Sequence, residues 1–262
     1  MIVDYHNLLT EWLKSCERNF TKRTSKHYNS CLQNFLQFTY QDGGLIDSKV
    51  IEGYIDFKIL AGWSNRTINS NLTAIRSFCR WRTQHEDIPN PAGVVPMLVE
   101  EPPKQRVLSQ SEYEKVLGVS NSRQKDIVVF LGHTGLRSNE FSSLKWDCVS
   151  IDQKYLTVLG KGRKQRTVPL NQSCRDILKK SKLSFISKNN LGRVCQALAK
   201  KAGIPSFGPH ALRHMFATNL IKNNISIYKV SKILGHSSVK TTEKIYIHLI
   251  PIDLIGITDV LD

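Results

Sequence analysis

Five prolines (Pro89, Pro91, Pro96, Pro102 and Pro103) fall between Asp87 and Lys104, and no helical or strand period runs through them. Proline has no amide hydrogen to donate, so it interrupts helices and sheet ladders alike. The stretch therefore predicts an extended linker, and it divides the chain into two parts that each need their own core. The expected organisation is a domain at residues 1–86, a linker at 87–106 and a second domain at 107–262.

The two parts differ in charge. Residues 1–100 hold 11 basic and 10 acidic side chains, whereas residues 101–262 hold 26 and 12, and the whole chain carries +15. A basic excess concentrated in one half points to a polyanion as partner, above all nucleic acid. No apolar run approaches the roughly 18 residues that a membrane span requires. The N-terminal MIVDYHNLLTEWLK has no signal-peptide pattern, so a cytoplasmic protein without membrane contact is expected. The six cysteines (16, 31, 79, 148, 174 and 195) form no CxxC pair. That spacing argues against a zinc site and against a disulfide framework.

Before the linker, the apolar residues repeat at helical spacing. Leu8, Leu9, Trp12, Leu13 and Cys16 form one stripe, and Tyr28, Leu32, Phe35 and Phe38 form another. Asp47 or Ser48 is placed to cap a third helix carrying Val50, Ile51, Tyr54 and Ile55. A fourth, from about Arg66, buries Ile68, Leu72, Ile75 and Cys79 and presents Arg66, Arg76, Arg80 and Arg82 on its other face. Those arginines are either a solvated face or a DNA-backbone contact, and the second reading is adopted. After the linker, Ser109 and Glu112 form a capping box with Leu108 and Tyr113 as its hydrophobic staple. A buried helix is expected at about Lys125–Leu131, a turn through His133–Arg137 and a short helix from Ser138. Tyr155–Leu159 and Thr167–Leu170 read as strands around the turn Gly160–Lys164, and the chain after Cys174 reads as helical.

Pro209, His210 and Arg213 suit the first turn of a helix, with imidazole and guanidinium on one face beside the positive end of the dipole. Alone, this is either a surface pair or an anion site. Arg137 and Glu140 alone read as an ion pair, and His214 as a packed structural residue.

Taken together, TGLRSNE (Arg137, Glu140), GKGRKQR (Lys161), HALRH (His210, Arg213) and LGH…Y (His236, Tyr246) resemble the tyrosine recombinase, or phage integrase, family in motif order. The stretch RTINSNLTAIRSFCRWRTQHEDIPNPA is similar to the end of that family's N-terminal core-binding domain. The resemblance implies a mainly α protein: a four-helix SAM-like core-binding domain and an α+β catalytic domain with a small antiparallel sheet, closing as a C-shaped clamp on DNA. It implies site-specific recombination through a 3′-phosphotyrosyl intermediate on double-stranded DNA with paired sites, by a homotetramer, with no cofactor and no metal.

By the same resemblance Tyr246 is the nucleophile. A phenol with a pKa near 10 needs a base, and His210 is the candidate. Arg137 and Arg213 clamp the non-bridging oxygens, His236 adds a donor, and Lys161 protonates the leaving 5′-oxygen, with Lys164 as its competitor. Arg163, Lys164 and Arg166 join Arg66, Arg76, Arg80 and Arg82 as expected DNA contacts. Tyr228 is the rival nucleophile, out of family order. Many relatives place the tyrosine nine residues after the histidine, but here it follows by ten, a shift of about 100° in helical phase. Either the helix starts later or Tyr246 arrives through a looser segment. The alternatives are a type IB topoisomerase-like nicking-closing enzyme and a catalytically silent DNA-binding protein.

Overall fold

The computed structural model describes residues 5–41, 45–86, 88–101, 106–160, 165–180, 187–236 and 238–246. They fall into two units, Met1–Pro103 and Lys104–Asp262.

The first unit is built on α1 (Tyr5–Asn19), α2 (Lys22–Gln41), α3 (Ser48–Leu60) and α4 (Asn65–Glu86). Each buries the stripe that its periodicity marks, so α1 turns Tyr5, Leu9, Trp12 and Cys16 inward. Trp12 sits at the centre, stacked on Tyr28 at 5.9 Å between centroids and meeting Phe78 edge-on at 5.6 Å. Asp47 caps α3, accepting the Val50 amide at 2.8 Å.

The described part of the proline-rich stretch, residues 88–101, forms no helix or strand, turns at Pro91–Ala92 and bends through Val95, and belongs to this unit. Ala92 and Val95 are buried in the helical core. Asn69 on α4 receives the strap as a neighbouring strand would. Its side chain accepts the Leu98 amide at 2.9 Å and donates to the Leu98 carbonyl at 2.9 Å and to Glu100 at 2.8 Å. Asn65 donates to the Val99 carbonyl at 2.7 Å, and the Arg76 guanidinium donates to that of Val95. A segment rich in proline cannot pair in a backbone ladder, so side chains of α4 satisfy its remaining polar groups instead.

Two of the four arginines expected on DNA are engaged within this unit. Arg76 is engaged with the strap. The Arg82 side chain is only 9% exposed, donates to Glu86 one turn on at 2.6 Å, and lies over the Tyr5 ring at 5.2 Å. It buttresses the core. Arg66 and Arg80 are exposed, and Arg66 pairs at the surface with Glu100 at 3.2 Å.

The second unit runs α5 (Gln110–Val119), α6 (Ser122–Thr134), α7 (Ser138–Ser142), a 3-10 turn at Trp146–Cys148, β1 (Tyr155–Leu159), β2 (Gln165–Pro169), α8 (Gln172–Lys180), α9 (Lys188–Ala202), α10 (Pro209–Lys222), α11 (Ile227–Leu234) and α12 (Val239–Tyr246). The Ser109–Glu112 capping box starts α5, with Leu108 and Tyr113 buried beside it. The strands pair antiparallel with Thr157 opposite Thr167, and β1 alternates Leu156 and Val158 inward against exposed neighbours. The main core gathers Phe130, Leu131, Phe141, Leu198 and Leu212. A smaller core of Ala217, Ile221, Val230, Leu234 and Tyr246 joins α10, α11 and α12.

The fold is therefore mainly α with a two-stranded antiparallel sheet among the described residues. Among those residues, no helix is long and apolar enough to cross a membrane. The cysteines are unpaired, and all but the half-buried Cys148 are core residues.

Candidate active site

Two glycine turns shape the site. Gly135 ends α6 at φ +63°, where a Cβ would lie 2.5 Å from the Phe216 ring. The turn sends Leu136 into the core and leaves Arg137 as N-cap of α7, its amide held by the Glu140 carboxylate at 2.7 Å. Gly235 ends α11 at φ +65°, and a Cβ there would lie 2.6 Å from Arg166 Cδ. Side chains from two distant elements thus close on backbone that must stay bare.

Three consecutive carbonyls at the end of α11 each accept from a different arginine. Ile233 receives Arg166 Nε at 2.7 Å, Leu234 receives Arg213 Nη2 at 2.7 Å, and Gly235 receives Arg137 Nη2 at 3.1 Å. A helix C-terminus, with unpaired carbonyls and a negative dipole end, suits such donors. Arg213 is 4% exposed and also donates to the Gly135 carbonyl at 2.6 Å, so it ties both glycine turns together. Burial and the charge of Arg137 lower its pKa to about 9, which keeps it charged at neutral pH.

The counter-charge beside these arginines is Glu140. Burial alone would raise its pKa, but hydrogen bonds from Arg166 and from the Arg137 amide outweigh that and hold it at about 2. One buried carboxylate against three guanidiniums leaves an excess of positive charge, the condition for taking up an anion such as phosphate.

His236 stands where the last two motifs meet. Its Nε2 is 3.1 Å from Arg213 Nη2 and its Nδ1 is 2.7 Å from Thr242 Oγ1. Because the guanidinium can only donate, Nε2 accepts, which assigns the proton to Nδ1. Burial, followed by the charges of Arg213 and Arg137, lowers its pKa to about 4. His210 lies in the first turn of α10 and is exposed at its edge. Partial burial, then Arg213 and Arg137, hold its pKa below the ordinary imidazole value. A neutral imidazole at neutral pH is able to accept a proton.

Tyr246 ends α12, which begins at Val239, three residues after His236. Tyr246 therefore stands on the helix itself and not on a looser segment after it. Thr242 and Tyr246, one turn apart, share the buried face of α12. The phenol is 2% exposed, and its hydroxyl lies 2.6 Å from His214 Nδ1. Burial raises its pKa to about 12 against the pull of Arg213, while burial, His210 and Arg213 lower that of His214 to about 4. The phenol therefore keeps its proton and His214 stays neutral at neutral pH. His214, read from sequence as a packed residue, is the hydrogen-bond partner of the tyrosine.

Arg137, His210, Arg213, His236 and Tyr246 all belong to the second unit. Arg137, Arg213 and His236 surround the α6 and α11 turns. His210 lies in the first turn of α10 within reach of the charges of Arg213 and Arg137, and Tyr246 sits in the small core. Lys161, Arg163 and Lys164 lie outside the described residues. Arg166, expected on DNA, is engaged by the buried Glu140 carboxylate and by the Ile233 carbonyl at the end of α11. Nothing in the sequence signals that Thr242 bonds His236 or that His214 bonds Tyr246. Thr242 shares its face with Tyr246 at helical spacing, but no local pattern singles out a partner of His214.

The histidines impose a pH dependence on folding. His214 and His236 bind protons near pH 4 when folded and near 6.5 when unfolded, so between these values the unfolded chain binds more protons. Their contribution is complete above about pH 6.5 and is lost as the pH falls towards 4. Glu140 stays ionised through most of that window and its contribution is lost only between about 4.5 and 2. The urea midpoint should thus fall between about pH 6.5 and 4, measured by far-UV circular dichroism; a midpoint flat over that range contradicts the neutral assignment.

Comparison with known proteins agrees with this site. Residues 106–251 match the profile of the phage integrase family. The chain is 29% identical to the tyrosine recombinase XerD of Listeria monocytogenes serotype 4b (strain F2365), covering 89% of this chain and 90% of the relative. It is 27% identical to the tyrosine recombinase XerC of Thermodesulfovibrio yellowstonii (strain ATCC 51303 / DSM 11347 / YP87), covering 94% and 91%. Among solved structures it is similar to the Tn1549 transposon integrase in complex with transposon right-end DNA, with a TM-score of 0.74, 18% identity and coverage of 92% and 93%. It is also similar to a lambda integrase dimer bound to a COC′ core site, with a TM-score of 0.74, 19% identity and coverage of 90% and 96%. With a profile match over more than half its length, the chain belongs to the phage integrase family of tyrosine recombinases.

Proposed function

We propose that the protein is a site-specific DNA recombinase that cuts and rejoins strands through a phosphotyrosyl intermediate. The observation that carries this reading is the set of Arg137, Arg213 and His236 around the end of α11, with Tyr246 seated beside them.

In this reading Tyr246 Oη attacks a DNA phosphorus, the bond to the 5′-oxygen breaks, and the 3′-phosphate stays on the tyrosine. His210 takes the phenolic proton, and Lys161 protonates the departing oxygen. Arg137 and Arg213 hold the charge that builds on the non-bridging oxygens, where one such donor is worth roughly 10²–10³ in rate. His236, with Nε2 as acceptor towards Arg213, donates to the phosphate once its proton moves to Nε2. Tyr246 leaves its seat on His214 to reach the phosphate, because a phenol that is 2% exposed cannot touch DNA. The phosphotyrosyl bond conserves the energy of the cleaved linkage, so resealing needs no ATP. Arg66 and Arg80, exposed on α4, bear on the DNA backbone, as do Arg163 and Lys164. Two protomers occupy each paired site and four carry out the exchange.

Strand exchange separates this function from nicking and closing at a single site. Incubating the protein with two differently labelled duplexes, selected by it from a randomised pool, should yield joined products carrying both labels. Relaxation of supercoiled DNA with no joined product would instead mark a topoisomerase-like enzyme.

A further inference from the structure

We propose that Arg166 is a positioning residue of the phosphate clamp: it occupies the Glu140 carboxylate so that Arg137 stays available to the anion, and it anchors the α11 terminus that presents His236. The proposal rests on the reading of Arg137 and Arg213 as that clamp.

The geometry is specific. Arg166 Nη1 and Nη2 take the two Glu140 oxygens at 2.6 and 2.9 Å, the fork geometry that a guanidinium and a carboxylate prefer. Arg137 is left with a single side-chain bond to Oε1 at 2.8 Å, while its amide holds Oε2 at 2.7 Å. The four acceptor positions of the carboxylate are then filled. Arg137 keeps most of its N–H groups for another partner, and its side chain is 29% exposed, whereas that of Arg166 is 9% exposed. Of the two, Arg137 is the one placed to meet a ligand.

Charge makes the same point. A lone Glu140–Arg137 pair would be neutral, and the carboxylate would draw the Arg137 fork into two-pronged pairing. A second guanidinium on the same carboxylate restores a unit of positive charge to the cluster. The third bond, Arg166 Nε to the Ile233 carbonyl at 2.7 Å, fixes β2 against the end of α11. Bare Gly235 admits the aliphatic part of the same side chain at that turn, directly before His236. Lysine could supply the charge but not the three directed bonds.

The test uses the full chain and a nicked duplex that the wild-type protein selects from a randomised pool. The nick lets the cleaved fragment diffuse away, so the covalent adduct accumulates. Arg166→Gln should lower the single-turnover rate of attachment at saturating duplex by about 10²-fold. Its affinity for the duplex and the salt dependence of that affinity should be unchanged. Adding Glu140→Gln should recover at least about tenfold of the lost rate, since a neutral amide no longer captures Arg137. Thermal melting accompanies each variant. Where Arg166→Gln melts below the assay temperature, Arg166→Lys with and without Glu140→Gln makes the same comparison.

Weaker duplex binding with a salt slope reduced by about 1, and unchanged attachment at saturation, would make Arg166 a DNA contact and overturn the proposal. Loss of attachment with no recovery in the double variant would reduce it to a structural residue and overturn it equally. The reading of the site is probed separately by Arg137→Lys. If that variant keeps the full rate the clamp itself is misassigned, and if it loses the rate while Arg166→Gln does not, only the role of Arg166 fails.

Discussion

Tyr246→Phe should abolish covalent attachment of the protein to DNA, and Tyr228→Phe should leave it intact. The substitution at 246 removes one oxygen and keeps the ring that fills the core between α10, α11 and α12. Its cost in stability is about 1 kcal/mol, the net worth of the hydrogen bond to His214, so the variant stays folded. The loss of attachment is complete because no other atom of the side chain can bond to phosphorus. Tyr228, on α11, is 67% exposed, which makes it the more accessible phenol. Accessibility is not the criterion. Tyr246 lies in the unit's small core beside Arg213, whose charge acts on the phenol, while Tyr228 projects into solvent. The measurement is a denaturing gel of labelled nicked duplex, with the attached peptide identified by mass spectrometry. Attachment retained in Tyr246→Phe and lost in Tyr228→Phe would reverse the assignment.

Arg213→Lys should lower the rate of attachment at saturating DNA by roughly 10²–10³ while retaining the charge. The guanidinium spans the Gly135 carbonyl at 2.6 Å and the Leu234 carbonyl at 2.7 Å, and reaches His236 Nε2 at 3.1 Å. A single ammonium on a flexible stem cannot hold both carbonyls and face the phosphate together. One carbonyl then loses its donor inside the protein, so unfolding is also easier, by about 1–3 kcal/mol. The two effects are separated by measuring rate at a temperature where the variant is fully folded by circular dichroism. A rate within about threefold of wild type under those conditions would mean that Arg213 is a structural tie alone.

Much of the architecture could be read along the chain because it is written at short range. The stripe Tyr5, Leu9, Trp12, Cys16, the cap at Asp47 and the box at Ser109–Glu112 each lie within one or a few helical turns. Strand β2 begins two residues earlier than its apolar pattern indicates, because Gln165 and Arg166 pair across to β1 whatever their polarity. That the proline-rich stretch forms no helix or strand was legible. Its docking was not, since Ala92 and Val95 find their core only when Asn69 and Arg76 reach across from α4.

The arginines divide most clearly. From sequence, Arg66, Arg76, Arg80 and Arg82 look alike on one helix, yet two are exposed while Arg76 holds a strap and Arg82 covers Tyr5. Arg166 follows a basic turn of DNA-contact candidates in sequence and is bound to Glu140. Likewise His214, beside Arg213, gains its role only when α12 folds back and places Tyr246 at 2.6 Å.

By itself, then, the sequence determined the helical character, the two-part division, the concentration of positive charge and the order of the motif residues. These follow from spacing and composition, which are properties of the chain alone. Which cations face a ligand and which face the core was decided only by the tertiary structure. A guanidinium goes to the nearest carboxylate or unpaired carbonyl, and only folding sets what is near.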